Sequence, residues 1–312
     1  MARAFTTGFS NLVAPGLRKV YFDDLAGIPK EFRQLFNVLG ANPGGQAGRN
    51  YFDDFQISSL GAFAEKPEGQ NVEYDLPVNG NTVRYTPYAF GLGFRITEEM
   101  QEDDLYGVMV KMTRQLALAA AYTMEVQGHR LLNNGFATTG GTGHTAAGFD
   151  ALSLFSTAHL LLRGGTRANR MSTDEDLSVT AVEHAVDLAE TWVNHSGMPM
   201  PWKPSLLVIP PQLKWIAKEI TESELKPYTG NNEINPLGGE GLKFFVDHYL
   251  TDADSWYLCG AKAKMDTSVW MRREPRFMVG DDFDSGDAKA KGTFRMASGH
   301  GEPDGWFGSA GM

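Results

Sequence analysis

The sequence predicts an α+β fold in which runs of strand and helix are segregated along the chain. Three observations carry that prediction. Residues 72–85 alternate apolar and polar side chains around an Asn79-Gly80 pair, a strong hairpin signal. Residues 97–134 keep a helical period for far longer than a typical globular helix. Beyond residue 175, amphipathic helices alternate with short apolar strands, and the last 33 residues, with eight Gly, read as strands and turns.

The elements follow in order. Residues 1–16 are small and polar and read as an arm. Leu17, Val20 and Tyr21 begin short amphipathic pieces, and Pro29 opens a helix through Phe32, Leu35 and Phe36. Residues 40–50 are a Gly-rich loop. The alternation of Val72, Tyr74, Leu76 and Val78, then Val83, Tyr85 and a run to Ile96, reads as a long two-stranded excursion with its tip at 77–82. Pro77 and Pro87 suit only edge or unpaired positions. A lone two-stranded hairpin is marginal in water, so this one is expected to lie against a neighbouring subunit.

Thr97 is placed to N-cap the long helix, with Glu98, Glu99, Asp103 and Asp104 in its first turns. Leu105, Val108, Met109, Met112, Leu116, Ala119 and Ala120 follow the i, i+3, i+4 pattern. Gly107 and Gly128 are its candidate bends, and Asn133-Asn134-Gly135 stops it. Residues 178–196 read as a helix with Thr180 and Glu183 in a capping box. Its buried face is Val182, Ala185, Val186, Ala189, Trp192 and Val193. Leu206–Ile209 is a buried strand, Pro210-Pro211 starts a helix through Ile220, and Leu242–Val246 and Trp256–Cys259 are strands.

Composition narrows function mainly by exclusion. A single cysteine, Cys259, rules out an intrachain disulfide, a CxxC redox pair and a zinc ribbon. No apolar run approaches the ~20 residues of a membrane span, and the N-terminus has no signal-peptide core. With 38 acidic and 28 basic residues the net charge is −10, contrary to phosphate neutralisation as a binding mode. High glycine, 35 of 312 residues, points to many loops.

Catalytic motifs are missing from the text of the chain. There is no GxxxxGK[ST], GxSxG or HExxH. Gly140–His144 is a loop with no preceding strand. His184 and His195, eleven residues apart on one predicted helix, are too far apart along its axis to share a metal. His159 reads as a hydrogen-bonded structural histidine. Asp281, Asp282, Asp284 and Asp287 around Gly286 fail the calcium-loop spacing twice, and the pairs 23–24, 53–54 and 103–104 read as structural charge. Cys259 reads as a buried apolar side chain. No catalytic residue, cofactor or metal site is expected.

Taken together, several segments resemble a known family. They are PEGQNVEYDLPVNGNTVRYTPYAFGLGFRITEEMQEDDLYG (67–107), RQLALAAAYTMEVQGHRLLNNGF (114–136), LFSTAH (154–159) with Asn169, GMP (197–199), PSLLVIPPQLKWIAKEITES (204–223), NNEIN (231–235), LTDADSWYL (250–258) and GWFGSAGM (305–312). Over residues 50–312 their order and spacing resemble a tailed-bacteriophage major capsid protein of the Mu-like prophage head-subunit branch. The resemblance implies the Hong Kong 97 phage-type fold: an N-terminal arm (1–54), an extended loop (55–96), a peripheral domain with a spine helix (97–174), an axial domain (175–265), and C-terminal strands returning to the peripheral domain (266–312).

The same resemblance implies a virion shell protein, assembled in the bacterial host cytoplasm as hexamers and pentamers around double-stranded DNA, without membrane contact. Implied partners are copies of itself, a portal protein, a separate scaffolding protein (the segment before residue 50 is too short for a built-in one) and a decoration protein. Lys66, Glu68, Pro77, Asn79, Gly80, Asn81 and Arg84 are the expected assembly contacts. Some relatives join subunits by Lys–Asn isopeptide bonds; Lys66 lies near the extended loop, but no motif match specifies such a bond. The departures are local, notably Leu160 where the family often has Pro. The alternatives are an encapsulin-like compartment, which shares the fold, and a soluble hydrolase, for which no nucleophile–base motif speaks.

Overall fold

A computed structural model describes residues 10–312 except 42, 44–48, 98, 101–102, 104–106, 224, 226–233, 240 and 283–285; side chains at 10–14, 239 and 281 are also outside the description. The elements, in chain order, are helices α1 (Ser10–Gly27) and α2 (Phe32–Leu35), strands β1 (Asn37–Leu39), β2 (Phe52–Ile57), β3 (Asn79–Tyr85) and β4 (Tyr88–Ile96), and the long helix α3 (Val108–Asn133). The irregular chain that follows carries the short strands β5 (His144–Thr145), β6 (His159–Leu160) and β7 (Thr166–Arg167), the last two paired with each other. Then come α4 (Val179–Glu190), β8 (Leu206–Ile209), α5 (Lys214–Glu222), β9 (Lys243–Val246), β10 (Trp256–Cys259), β11 (Thr267–Asp281), β12 (Ala288–His300) and β13 (Trp306–Ser309).

Two sheets organise these elements. The larger runs β1-β11-β12-β4, with β5 paired to β12. Its centre is the long antiparallel pair β11–β12, and Pro275 is tolerated there because the register shifts between Arg273 and Arg276. Helix α3 lies across this sheet and α1 lies on α3, burying Leu17, Tyr21, Leu116, Ala117, Met124, Leu131, Phe277, Phe294 and Met296 in one core. The smaller sheet runs β13-β10-β8-β9, with α4 and α5 covering a second core of Ala181, Val182, Ala185, Leu207, Ile209, Ile220, Trp256 and Phe307. Strands β8, β10 and β13 are buried on nearly every residue, which is why they read as continuous apolar runs rather than alternations, while edge strand β9 is only partly buried.

Several expectations change. The long helix begins at Val108, because Gly107 stands at φ +65° and breaks the helical path. Its 26 residues span about 39 Å. Thr97 instead accepts from the Met100 N–H, capping a separate turn, and Asp103 lies before the helix. Glu98, Asp104 and Leu105 lie outside the described residues. Gly128 is no bend: a Cβ there would sit 2.7 Å from Phe32 Cβ, so glycine lets α2 lie directly on α3. The cap of α4 is Ser178, whose hydroxyl accepts from the Ala181 N–H at 3.1 Å, two residues before the predicted Thr180 box. The helix ends at Glu190, so His195 is on the following turn and not on a face shared with His184.

Most consequentially, Asn79-Gly80 is not a hairpin turn. Both residues lie in β3, which pairs with β2, and β4 pairs with β12 in the large sheet. A Cβ on Gly80 would clash with the Gln56 side chain, so glycine here admits a cross-strand neighbour. The excursion is the chain between β2 and β3, and its turn is Pro67–Gln70, closed by Gln70 N–H to the Pro67 carbonyl at 3.1 Å with Gly69 at φ +81°.

Candidate assembly surface

The excursion is a long finger with a polar root and an apolar shaft. At the root, β2 and β3 form a two-stranded ribbon. Arg84 clamps Asp53 with two hydrogen bonds, 2.6 and 2.9 Å, and its guanidinium sits 3.9 Å from the Tyr51 ring centre. The inner face of the ribbon, Val83 and Tyr85, seats on Phe149, Trp270 and Ala297. Gln56 donates to Glu302 at 2.6 Å, and Glu302 is also 2.9 Å from His195 Nε2. At the outer end of the root, Asp75 accepts both from Arg163 (2.8 and 2.9 Å) and from the Gly61 N–H (2.7 Å), holding the outgoing and returning chains together. Ser196 donates to the Ser59 carbonyl at 2.6 Å.

Beyond these anchors the finger packs against none of the described residues. Residues 62–79 are exposed without interruption. Among them Phe63, Tyr74 and Leu76 are 104%, 93% and 79% accessible, with Val72 and Val78 also exposed. Leu60, Phe55 and Ile57 extend the apolar strip toward the root. A contiguous exposed strip of this kind marks a surface that another molecule covers. Burying a Phe or Leu side chain is worth roughly 1.5–3 kcal/mol, so a few such residues per subunit suffice when contacts repeat around a closed assembly. Smaller exposed apolar sets lie elsewhere: Tyr88, Leu92 and Met278 on the large sheet, Leu118 and Tyr122 on α3, and Trp215 on α5.

The expected contact residues divide between the two parts. Lys66 precedes the turn of the finger, Glu68 lies within it, and Pro77 is exposed on its returning side. Asn79, Gly80, Asn81 and Arg84 are in the root: Asn81 donates to the Phe149 carbonyl at 2.8 Å, and Arg84 is engaged with Asp53. Sequence reasoning missed Leu60 and Phe63, and the Asp75–Arg163 anchor. An acid set inside an otherwise apolar alternation was the available signal for Asp75; nothing local pointed to Arg163, 88 positions away.

The candidate catalytic and metal-ligating groups that the sequence offered are mostly in structural pairs. His159 bonds Asp150 through Nδ1 (2.6 Å) and Asn169 through Nε2 (3.0 Å), leaving neither ring nitrogen facing a hydroxyl nucleophile. Burial pushes the Cys259 thiol up to about 12, the opposite of an activated nucleophile. Asp287 pairs with Arg95 and Asp282 with Lys289, each an ordinary charge pair; Asp284 lies outside the described residues. Arg167 pairs with Asp304, and Trp192 stacks on Trp202 at 5.0 Å.

Residues 80–308 match the model of a family described as phage capsid protein. The fold is similar to the capsid of the cyanophage P-SCSP1u, with a TM-score of 0.58 and 11% identity over 90% of this chain and 87% of that one. It is similar to the mature capsid of bacteriophage PhiM1, at 0.56 and 10% over 90% and 86%. It is also similar to a virus-like particle from Pyrococcus furiosus, at 0.52 and 10% over 95% and 99%. At these identities the likeness is one of fold. No curated protein sequence matches.

Proposed function

The chain belongs to the phage capsid protein family and is a structural, shell-building subunit of a virion with the Hong Kong 97-type fold; we propose that its shell encloses the double-stranded DNA of a tailed phage and is held together by the finger lying over a neighbouring subunit. The observation that carries this reading is the uninterrupted exposure of residues 62–79, with Phe63, Tyr74 and Leu76 bare, on a finger whose root is tied down by Asp75, Arg163 and Arg84. A finger that is rooted but unpartnered is built to reach outward.

Within this reading, residues 1–54 supply an arm, 55–96 the extended loop, 97–174 and 266–312 the peripheral domain, and 175–265 the axial domain where capsomers meet. Helices α1 and α2 of the first segment are buried against α3 of the same chain, so any arm function falls to the residues around them. The sequence motifs favour the Mu-like branch. Portal, separate scaffolding and decoration proteins complete the particle, which assembles in the host cytoplasm. The net charge of −10 keeps packaged DNA from adhering to the wall, since like charges repel across short distances at physiological salt.

The second reading is an encapsulin-like compartment, which would share the fold; the likeness to the virus-like particle from Pyrococcus furiosus extends over 99% of that chain. Particle contents separate the two. Purified particles examined by electron microscopy and nuclease protection should hold long double-stranded DNA when made during infection. Particles packed with a co-purifying enzyme and free of DNA would select the compartment instead.

A further inference from the structure

Ionisable side chains from three distant parts of the chain meet beneath α2. His129 of α3 is fully buried. Its Nδ1 lies 2.8 Å from the Glu125 carbonyl oxygen; a carbonyl only accepts, so Nδ1 carries a proton and donates it. In the neutral ring Nε2 then presents a lone pair, and 3.0 Å away stands Oδ2 of Asp247, also fully buried. Apart from the ion pair the two would make with a protonated ring, neither atom has a hydrogen-bond partner. Asp247 is oriented through its other oxygen, which accepts from the Tyr249 N–H at 2.8 Å, and the Tyr249 ring stacks on the imidazole at 5.2 Å. Glu31 supplies a third donor, so that one ligand atom from each of Glu31, His129 and Asp247 lies within 4.8 Å of the others. Glu125 Oε1, buried and without a hydrogen-bond partner, adds a further acceptor beside them, while its Oε2 accepts from the Phe32 N–H at 3.1 Å.

A buried imidazole nitrogen and carboxylate oxygen this close need a positive centre shared between them, either a proton or a metal ion. We propose that Glu31, His129 and Asp247 bind one divalent transition-metal ion, Zn²⁺ being the best match, which staples the segment before α2, helix α3 and the turn after β9 to one another. One imidazole nitrogen and two carboxylate oxygens suit Zn²⁺, with water completing four-coordination, whereas Ca²⁺ and Mg²⁺ favour oxygen alone. A ligand histidine whose other ring N–H is fixed by a backbone carbonyl has its tautomer and plane set in advance. The ion has a way in: the Glu31 side chain is 19% exposed, beside the open His248, whose Nδ1 is 2.8 Å from Glu31 Oε1 and whose N–H donates to Oε2 at 3.1 Å. The ligands are 98 and 118 positions apart in sequence, so a bound ion constrains the unfolded chain strongly as well.

The test uses the full chain without an affinity tag, stripped with chelator and titrated with Co²⁺ and then Zn²⁺. The expected result is one Co²⁺ per chain with d–d absorption, displaced by Zn²⁺. X-ray absorption should give a first shell of N and O near 2.0–2.1 Å with one imidazole. Asp247→Asn and Glu31→Gln should retain the circular dichroism of the parent and weaken Co²⁺ binding at least tenfold. Should D247N fail to fold, E31Q carries the test, because its side chain is at the edge of the site. The proposal is overturned if the folded parent takes up no stoichiometric Co²⁺ or Zn²⁺, or if the variants bind as tightly as the parent.

Discussion

The finger and the four-stranded sheet are built on opposite principles. In the sheet, Trp256, Leu258, Phe307 and Ile209 are buried within the chain, and Trp256 even finds a partner for its ring N–H in the Glu175 carbonyl at 2.9 Å. In the finger, equally apolar side chains at 63, 74 and 76 face solvent, and the intramolecular bonds are nearly all polar and confined to the root. The sheet holds its own free energy of folding, whereas the finger stores apolar area for another molecule. Mutations in the two regions should therefore fail differently, one in unfolding and the other in assembly.

The largest effect is expected in the sheet. Trp256→Ala should cost about 3–5 kcal/mol in urea unfolding of the subunit, through lost burial and the cavity left behind. If the cost proved below about 1 kcal/mol, the sheet would not be the self-sufficient half of the pair. Next is Asp266, below the finger's root. Burial, reinforced by the nearby Asp54 and Glu302 carboxylates and only partly opposed by a hydrogen bond from the Glu302 N–H, pushes its carboxyl up to about 7. An unfolded Asp titrates near ~3.9, so between the two values the folded chain holds a proton the unfolded chain has released. Stability falls as pH rises through that window, and the loss is complete above about 7. Asp266→Asn should flatten this dependence and stabilise the subunit at pH 8 by about 1–2 kcal/mol, with little change at pH 4. Thermal unfolding of both forms across pH 4–8 checks it; parallel curves would contradict the assignment.

Smaller effects follow. Ser178→Ala should cost about 1 kcal/mol through loss of the α4 cap, while Thr180→Ala should be near neutral, a direct comparison by chemical denaturation. Arg163→Ala should leave the melting temperature of the free subunit unchanged yet speed protease cleavage within 62–79, because the pair with Asp75 fixes the finger's direction rather than the fold. Unchanged cleavage would mean that the finger is held by something other than its root.

How far the sequence carried the account depends on the distance over which each element is decided. Strands β8, β9 and β10 and the helix after Pro210-Pro211 were legible because continuous apolar runs and a proline pair are local signals. The start of α3 was misplaced by a local effect of another kind: the period continues through Leu105, but Gly107 adopts a left-handed conformation that ends the helix. The finger was recognised as an excursion in need of a neighbour, yet its turn was assigned to Asn79-Gly80 instead of Pro67–Gln70. That error came from pairing. The partner of β3 is β2, more than twenty residues earlier, and β4 is drawn away by β12, some two hundred positions later. The cluster of Glu31, His129 and Asp247 is invisible for the same reason, since no spacing motif joins residues brought together only when the segment before α2 and the turn after β9 both pack against α3.

The central claim, that the finger's apolar shaft is an assembly surface and not a folding element, is tested most directly by the triple variant Phe63→Ser, Tyr74→Ser, Leu76→Ser. Its subunits and the parent's should be compared by analytical ultracentrifugation and electron microscopy alongside thermal unfolding of the free subunit. The account predicts an unchanged melting temperature and no closed shells, with the variant remaining as free subunits or small oligomers while the parent forms particles. Closed particles of parental size and yield from the variant would contradict it.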